Sequence, residues 1–306
     1  MKKFKRLLAV ISIMILSLVV LAGCGDKTVT MKDRAGEEFT APKKIERIIS
    51  TAPSNTEILV GLGLGDKIVA IDKYSADIKG LNKEVEKIDF RNPNAEAIIG
   101  LKPDIVIAST HNKEGEEDPF KLIKEAGIPV VYVPTSGGFD GIYEDINFLA
   151  KLTGTKAKGT EIIDEMKKEV SEIEEIAKNI KDKKTVYFEI GSSPNLFSFG
   201  NNTFLNSMIE IVGAKNIFAD QKEWISPSPE SVIKANPDVI LTNETYLENP
   251  IKSIEDRAGF NTIRAVKDKA VYEINLNASS RPSQYSIIAL KEIAKAIYPK
   301  EYENIK

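Results

Sequence analysis

The sequence predicts an α/β fold of two similar lobes, which are joined by one long α-helix and face each other across a cleft. Three observations support this architecture. A fourteen-residue block occurs twice at an offset of 134 residues, strand and helix patterns alternate in both halves of the chain, and a long amphipathic segment separates the halves. Because strands that alternate with helices pair in parallel, each lobe is expected to contain a Rossmann-like parallel sheet.

The repeated block reads NAEAIIGLKPDIVI at Asn94–Ile107 and SPESVIKANPDVIL at Ser228–Leu241. In each copy a glutamate, Glu96 or Glu230, opens a short helical stretch that Pro-Asp ends. A β-branched run follows, which is typical of a strand buried on both faces. The duplication predicts two equivalent structural units, and two matched lobes usually close on something held between them.

The first 23 residues have the pattern of an export signal. A cationic start at Lys2 is followed by an apolar run, Leu7–Val20, and then by Leu21–Cys24 (LAGC). This segment resembles a bacterial lipobox, in which the cysteine receives a lipid and becomes the first residue of the mature chain. The apolar run could also be an uncleaved membrane anchor, but Cys24 is the only cysteine and stands where a lipobox requires one. We therefore expect an extracytoplasmic protein that is lipid-anchored to the bacterial cell membrane through Cys24.

The remaining boundaries follow from the alternation of strand and helix patterns. An N-terminal tether is expected over 24–43, the N-terminal lobe over 44–153, the connecting helix over 154–182 and the C-terminal lobe over 183–306. The first lobe is predicted to have strands at Arg47–Ser50, Lys67–Ile71, Ile105–Ser109 and Val130–Val133, and helices near Thr56–Leu62, Pro119–Ala126 and Gly141–Leu152. The second is predicted to have strands at Thr185–Ile190, Val239–Thr242 and Val271–Asn275, and helices at Thr203–Val212 and Gln284–Ile297.

Two segments need a choice between interpretations. Gly61–Gly65 lacks the G-x-G-x-x-G spacing of a dinucleotide-binding loop and follows a helix, so it is predicted to be a helix C-cap and turn. Thr155–Lys181 carries apolar residues at spacings of three and four along an otherwise charged helix, which would be roughly 40 Å long at ~1.5 Å per residue. This stripe covers fewer than three heptads, so it favours a connecting helix over a dimerisation zipper, and a monomer is expected.

Composition and motifs argue against several classes of function. The 42 basic and 45 acidic residues are mixed along the chain, so the basic stripe of a nucleic-acid-binding protein is absent. The chain lacks the G-x-S-x-G motif of a hydrolase, and the only histidine, His111, has no recognisable catalytic partner. One histidine cannot supply a site for a bare metal ion, so neither an enzyme nor an intrinsic metal site or cofactor is predicted.

The order of these features resembles the extracytoplasmic binding proteins of ABC importers for cobalamin, ferric siderophores and haem. The resemblance rests on the lipobox, the two lobes with one connecting helix, the paired E-x-[IV]-I-x-x-x-P-D blocks and the late Ser280–Ser283 (SRPS), and it covers the chain from Lys44 onward. It implies capture of a cobalt- or iron-containing cofactor or chelate, with cobalamin or another corrinoid first, a ferric siderophore second and haem third. It also implies delivery to a permease dimer with its ATPase subunits.

The resemblance gives Glu96 and Glu230 a role as acidic groups, one on each lobe, that dock into arginine pockets of the permease. Alternatively, each carboxylate complements the positive end of its helix, which is worth about 0.3–1 kcal/mol. Both interpretations can hold, because a carboxylate at a helix start is exposed to a partner arginine. A ligand-sensing lipoprotein without an importer is the remaining alternative, and it would not need both glutamates to be exposed.

Positions at the expected strand ends match aromatic and arginine pocket positions of the cobalamin-binding members of the family. The candidate ligand-binding residues are Tyr74, Phe90, Phe197, Trp224 and Arg281. Asn277 stands where those proteins have an acid, and Ser109–His111 stands where they have a tryptophan. His111 would be an axial ligand if the cargo were haem or a cobalt complex, whereas a loop histidine is otherwise a surface residue. Flat aromatic faces suit a broad, mostly apolar macrocycle or chelate.

Overall fold

The computed structural model of the chain describes residues 29–82, 84–113, 118–192 and 194–305. The predicted signal peptide and Cys24 lie outside the described residues. Two parallel sheets with surrounding helices form two lobes, and one long helix connects them, which confirms the predicted fold class. None of the described helices is long and apolar enough to cross a membrane.

An antiparallel hairpin precedes the first lobe. It consists of β1 (Val29–Lys32) and β2 (Glu38–Ala41), within the segment that the sequence predicted as a tether. The carboxylate of Asp33 accepts a hydrogen bond of 2.8 Å from the backbone N–H of Tyr132, which fastens the turn of the hairpin to the first lobe. The tether assignment therefore missed a structured element, because its strands are short and mostly exposed, and gain their partners only in the folded chain.

The first lobe contains a five-stranded parallel sheet with the strand order β5-β4-β3-β6-β7. Its strands are β3 (Ile48–Ser50), β4 (Ile68–Asp72), β5 (Glu86–Ile88), β6 (Ile105–Ser109) and β7 (Val130–Val133), and its helices are α1 (Pro53–Gly61), α2 (Ala95–Gly100), α3 (Lys121–Glu125) and α4 (Phe139–Leu152). The four predicted strands are confirmed, and the sequence missed β5, which has a single apolar residue. Helix α1 ends in a turn with Gly63 at φ +82°, as predicted for a C-cap.

The second lobe follows α5 (Lys156–Ala177) and contains a four-stranded parallel sheet with the order β10-β8-β12-β13. In chain order its elements are β8 (Thr185–Glu189), β9 (Ser198–Phe199), α6 (Phe204–Ile211), β10 (Lys215–Asn216), β11 (Trp224–Ile225), α7 (Pro229–Ala235), β12 (Val239–Thr242), α8 (Pro250–Glu255), α9 (Arg264–Lys267), β13 (Val271–Glu273), α10 (Leu276–Ser280) and α11 (Ser286–Ile297). The predicted strands and helices are confirmed, although β13 ends two residues early and α11 begins two residues late.

Helix α5 packs against both lobes. Its residues Met166, Val170 and Ile173 are buried in one hydrophobic cluster that also contains Ile146 of α4 and Ile293 of α11. The phenol oxygen of Tyr302 lies 3.0 Å from the carbonyl oxygen of Val212 and 3.3 Å from that of Ile173, so its single proton is shared between them and ties α5 to the second lobe. Because the same apolar stripe serves both lobes, α5 is a stiff support for their relative placement.

Candidate functional site

A cleft of about 400 Å³ lies between the two lobes. Its walls include residues that end or follow strands of both parallel sheets, such as Ser109 at the end of β6 and Asn243 after β12. The lining residues of the first lobe are Ala52, Pro53, Ser54, Ser109, His111 and Thr135, and those of the second are Ile190, Phe197, Phe204, Leu205, Trp224, Asn243, Ser279, Ser280, Arg281 and Pro282. Ligands of parallel α/β sheets bind outside the carboxyl ends of the strands, so this cleft is the expected place for a site.

A stacked aromatic pair forms part of the second-lobe wall. The rings of Phe197 and Trp224 have centroids 5.8 Å apart and an interplanar angle of 18°. Antiparallel pairing of β9 with β11 places Trp224 opposite Phe199, whose ring meets the indole edge-on at 6.4 Å. Trp224 remains 45% exposed and Phe197 38% exposed, so both rings keep surface for a ligand. The structure thus brings two of the four predicted aromatic residues together in the cleft.

The other two predicted aromatics, Tyr74 and Phe90, pair with each other on the first lobe. Their ring centroids are 6.3 Å apart, and neither residue is among those that line the cleft. The buried carboxylate of Asp72 accepts a hydrogen bond of 2.8 Å from the backbone N–H of Tyr74 and fixes the start of this loop. Burial raises the pKa of Asp72. Contact of Tyr74 and Phe90 with a ligand stays a prediction.

Arg281 lies at the cleft, but its guanidinium donates hydrogen bonds to residues of the opposite lobe. Nη1 is 3.1 Å from Oε1 of Glu57, and Nη2 is 2.8 Å from Oδ1 of Asp77 and 2.9 Å from the carbonyl oxygen of Tyr74. Asn277 donates from Nδ2 to Oδ2 of Asp77 at 2.6 Å. These four side chains, Glu57, Asp77, Asn277 and Arg281, form an inter-lobe network. Two of the four predicted pocket residues of the second lobe, Asn277 and Arg281, therefore fasten the lobes together.

Glu57 is the buried member of this network. Besides Arg281, the hydroxyl of Ser283 donates to its Oε2 at 2.5 Å, and Nε2 of Gln284 donates to its carbonyl oxygen at 2.7 Å. Burial raises the pKa of Glu57, and the bonds from Ser283 and Arg281 offset this rise only in part. One guanidinium faces two carboxylates, so Arg281 brings little net positive charge to the cleft.

His111 lines the cleft from the first lobe, in the short turn that follows β6. Asn112 shapes this turn, because its Oδ1 accepts from the backbone N–H of Ser109 at 2.7 Å and from the hydroxyl of Thr51 at 2.8 Å. The structure therefore places one imidazole at the cleft, although an axial role for it stays a prediction. Over residues 29–82, 84–113, 118–192 and 194–305, no group of three or more His, Cys, Asp or Glu is arranged to hold a metal ion.

The sequence analysis missed Asn243, a buried polar residue of the second-lobe wall. It directly follows β12, and its Nδ2 donates to the hydroxyl oxygens of Ser279 at 2.9 Å and Ser280 at 3.2 Å. The repeat offset of 134 residues aligns Asn243 with Ser109, which lines the cleft from the other lobe. Following both copies of the repeat past their strands would have pointed to this residue.

Glu96 and Glu230 occupy equivalent places in the two lobes. Each is exposed in the first turn of a helix, α2 or α7, and each helix begins at an N-cap side chain, Asn94 or Ser228. The prediction that both glutamates open a helix is confirmed. Each helix precedes a strand of its parallel sheet, β6 or β12, so it starts at the carboxyl edge, where the cleft also lies. Docking to a permease stays a prediction.

Comparison with known proteins identifies the family. The sequence model described as periplasmic binding protein matches residues 48–278. The chain is 34% identical over 310 residues to YvrC, an uncharacterised ABC transporter substrate-binding lipoprotein of Bacillus subtilis, with 95% of this chain and 96% of that protein covered. It is 28% identical over 252 residues to the vitamin B12-binding protein of Vibrio campbellii, with 82% and 88% covered.

A solved structure supports the same assignment. A protein of Staphylococcus epidermidis, described as a possible iron-binding periplasmic solute-binding protein, superposes with a TM-score of 0.75 at 35% identity. The superposition covers 84% of this chain and all of that one. Together with the match over residues 48–278, these similarities show that the chain belongs to the periplasmic binding protein family, the non-enzymatic solute-binding components of ABC transporters.

Proposed function

We propose that this chain captures a metal-containing cofactor or chelate between its lobes, with cobalamin or another corrinoid as the first candidate. The observation that carries the proposal is the stacked pair of Phe197 and Trp224 on the wall of the cleft. Exposed flat rings favour a broad ligand with an extended apolar face. A cleft of about 400 Å³ would enclose part of such a ligand and leave its edge in solvent.

The comparisons support a corrinoid or a ferric chelate. A vitamin B12-binding protein is 28% identical over most of both chains, which favours the corrinoid. The Staphylococcus epidermidis structure, with its description as a possible iron-binding protein, supports a ferric siderophore as the second candidate. Haem is third, because its support within the cleft is the single imidazole of His111.

Delivery to a permease dimer with its ATPase subunits completes the proposed function. Glu96 and Glu230 are two separated carboxylates at equivalent helix starts, and two charges can fix orientation as well as encounter rate. Their exposure fits an importer better than a sensing lipoprotein, which would not need both. We further propose that Cys24 carries the lipid that holds the mature protein at the outer face of the cell membrane, as the lipoprotein relative YvrC supports.

Titration of the mature protein tests the ligand class. Trp224 is the only tryptophan and lies at the cleft, so its emission reports on the site. Cyanocobalamin, ferrioxamine B and haemin absorb near-ultraviolet light and should quench this emission when they are bound. Free N-acetyltryptophanamide at matched absorbance corrects for light lost to the probes, and calorimetry gives an independent affinity. A protein that binds none of the three probes at micromolar concentration would refute the proposed ligand class.

A further inference from the structure

We propose that Asn243 and Ser280 recognise a carboxamide group of the ligand. The cleft would then select a chelate that carries amide N–H groups over one whose only polar groups are carboxylates. This inference rests on the proposed function, because it concerns the ligand of the same cleft. It adds a specificity-determining pair on the second-lobe wall, opposite the side from which His111 lines the cleft.

The orientation of the Asn243 amide follows from its neighbours. The hydroxyl of Ser279 donates its single proton to the carbonyl oxygen of Asn275 at 2.7 Å, so its oxygen is left to accept. Only the Nδ2 side of Asn243 can donate to Ser279, at 2.9 Å. The oxygen Oδ1 must therefore occupy the other side of the amide.

Oδ1 of Asn243 is a buried acceptor without a hydrogen-bond partner among the described residues. The side chain is only 2% exposed, so bulk water does not readily replace a partner. A buried acceptor that stays unpaired keeps its full desolvation cost. Asn243 lines the cleft, and a small movement of its side chain on ligand binding would bring Oδ1 within reach of a ligand donor, which would remove this cost.

Ser280 supplies the complementary group. Its oxygen accepts from Nδ2 of Asn243 at 3.2 Å, and no hydrogen bond donated by its hydroxyl is found within the described part of the chain. Ser280 lines the same cleft and is exposed, so its proton can reach a ligand carbonyl. An acceptor beside a donor matches the N–H and the C=O of one carboxamide.

A carboxylate would fit this wall poorly. Ionised carboxylates only accept hydrogen bonds, so one placed against Oδ1 of Asn243 would set two acceptors facing each other. Arg281 does not restore the balance, because Glu57 and Asp77 already face its positive charge. Corrinoids with amide side chains and amide-containing siderophores meet the requirement, whereas the polar groups of haem are two carboxylates.

The test compares Asn243→Leu and Ser280→Ala with wild type, using cyanocobalamin, ferrioxamine B and haemin as probes in calorimetry. We expect each variant to bind the amide-bearing probe about three- to tenfold more weakly than wild type does, which is the range of one neutral hydrogen bond. The affinity for haemin should be unchanged. Asn249→Leu is the matched control, since this asparagine caps α8 outside the cleft. Unchanged affinity of both cleft variants for the amide-bearing probes would overturn the proposal.

A second measurement does not depend on the folding of Asn243→Leu. Wild type is titrated with cyanocobalamin monocarboxylic acids, in each of which one amide is replaced by a carboxylate, and with ferrioxamine B as before. At least one monoacid should bind about tenfold or more weakly than cyanocobalamin. Equal binding of all monoacids, or haemin binding tighter than both amide-bearing probes, overturns the amide preference while ligand capture stands. Binding of no probe refutes the proposed ligand class, and the amide preference falls with it.

Discussion

The guanidinium of Arg281 in the second lobe lies 3.1 Å from the carboxylate of Glu57 in the first lobe, and the two residues are 224 positions apart in the chain. Both side chains are largely buried, with exposed fractions of 12% and 6%. Asp77 adds a second carboxylate to Arg281 at 2.8 Å. The lobes are thus joined on the cleft side by an ion pair as well as by helix α5, which favours small lobe movements on ligand binding.

Replacement of Arg281 should destabilise the whole protein. Arg281→Met leaves Glu57 buried without its cation, and we expect a loss of about 3 kcal/mol in the free energy of unfolding, measured by urea denaturation. Glu57→Gln in the same chain should restore much of this loss by removing the uncompensated charge. Lys252→Met, which breaks an exposed pair with Asp256, is the control and should change little. An Arg281→Met protein as stable as wild type would show that the network does not hold the lobes.

The loss in the free energy of unfolding caused by Arg281→Met should grow as the pH rises. Burial already raises the pKa of Glu57, and removal of Arg281 raises it further. An acid whose folded-state pKa exceeds its unfolded value stabilises the protein below the unfolded value and loses that contribution as pH rises through the folded pKa. Asp77 also makes the cost of Arg281→Met larger at neutral pH. Arg281 lowers the pKa of Asp77, so this pair stabilises the folded state when Asp77 is ionised, and the variant loses that contribution.

Urea denaturation of both proteins at about pH 4.5 and about pH 7 measures this dependence. The stability difference between wild type and Arg281→Met should be smaller at the lower pH, where Glu57 is protonated more easily. A difference that is equal at both pH values, or larger at the lower one, would contradict the assignment of the charge cost to Glu57.

Trp224 should contribute more to ligand binding than Tyr74. Trp224→Ala removes a ring that lines the cleft and stacks on Phe197, and it should weaken binding by about 1–3 kcal/mol in calorimetry. Tyr74→Ala removes a ring that pairs with Phe90 outside the cleft lining, so its effect should be smaller. Tyr246→Ala, at a side chain 93% exposed, is the control. A larger effect of Tyr74→Ala would place the ligand against the first lobe instead.

Replacement of the two glutamates should affect transport but not ligand binding. We expect Glu96→Ala together with Glu230→Ala to leave ligand affinity nearly unchanged and to abolish uptake, because both carboxylates are exposed at helix starts outside the cleft lining. Uptake of labelled ligand is measured in cells in which this chain is the only source of binding protein. The matched control is Glu165→Ala with Glu172→Ala on the exposed face of α5. Loss of ligand affinity with normal docking would reverse the assignment of the face.

Cys24→Ser should release the protein from the membrane or leave it unprocessed. Cys24 is the only cysteine of the chain, so no other thiol can receive the lipid. Membrane fractionation and incorporation of labelled palmitate measure the outcome, and the wild-type chain is the control. Normal maturation with full membrane retention in the variant would refute anchoring through this residue.

Local patterns in the sequence determined the fold. Residues close together in the chain produce the apolar periodicity of α5, the alternation of strands with helices and the repeated Pro-Asp blocks. The structure has these elements close to the predicted bounds. The elements that were missed are short. β5 has a single apolar residue and pairs with β4, and the two strands of the β1–β2 hairpin are mostly exposed.

Only the tertiary structure decided which strand-end residues meet. Phe197 and Trp224 converge because β9 pairs with β11, and Arg281 turns to the first lobe because Glu57 and Asp77 lie opposite it. The repeat could have pointed to Asn243, but only the folded chain shows that its buried oxygen has no partner among the described residues. Such contacts join residues far apart in the chain, so they depend on how the two lobes are placed by α5, which no local pattern specifies.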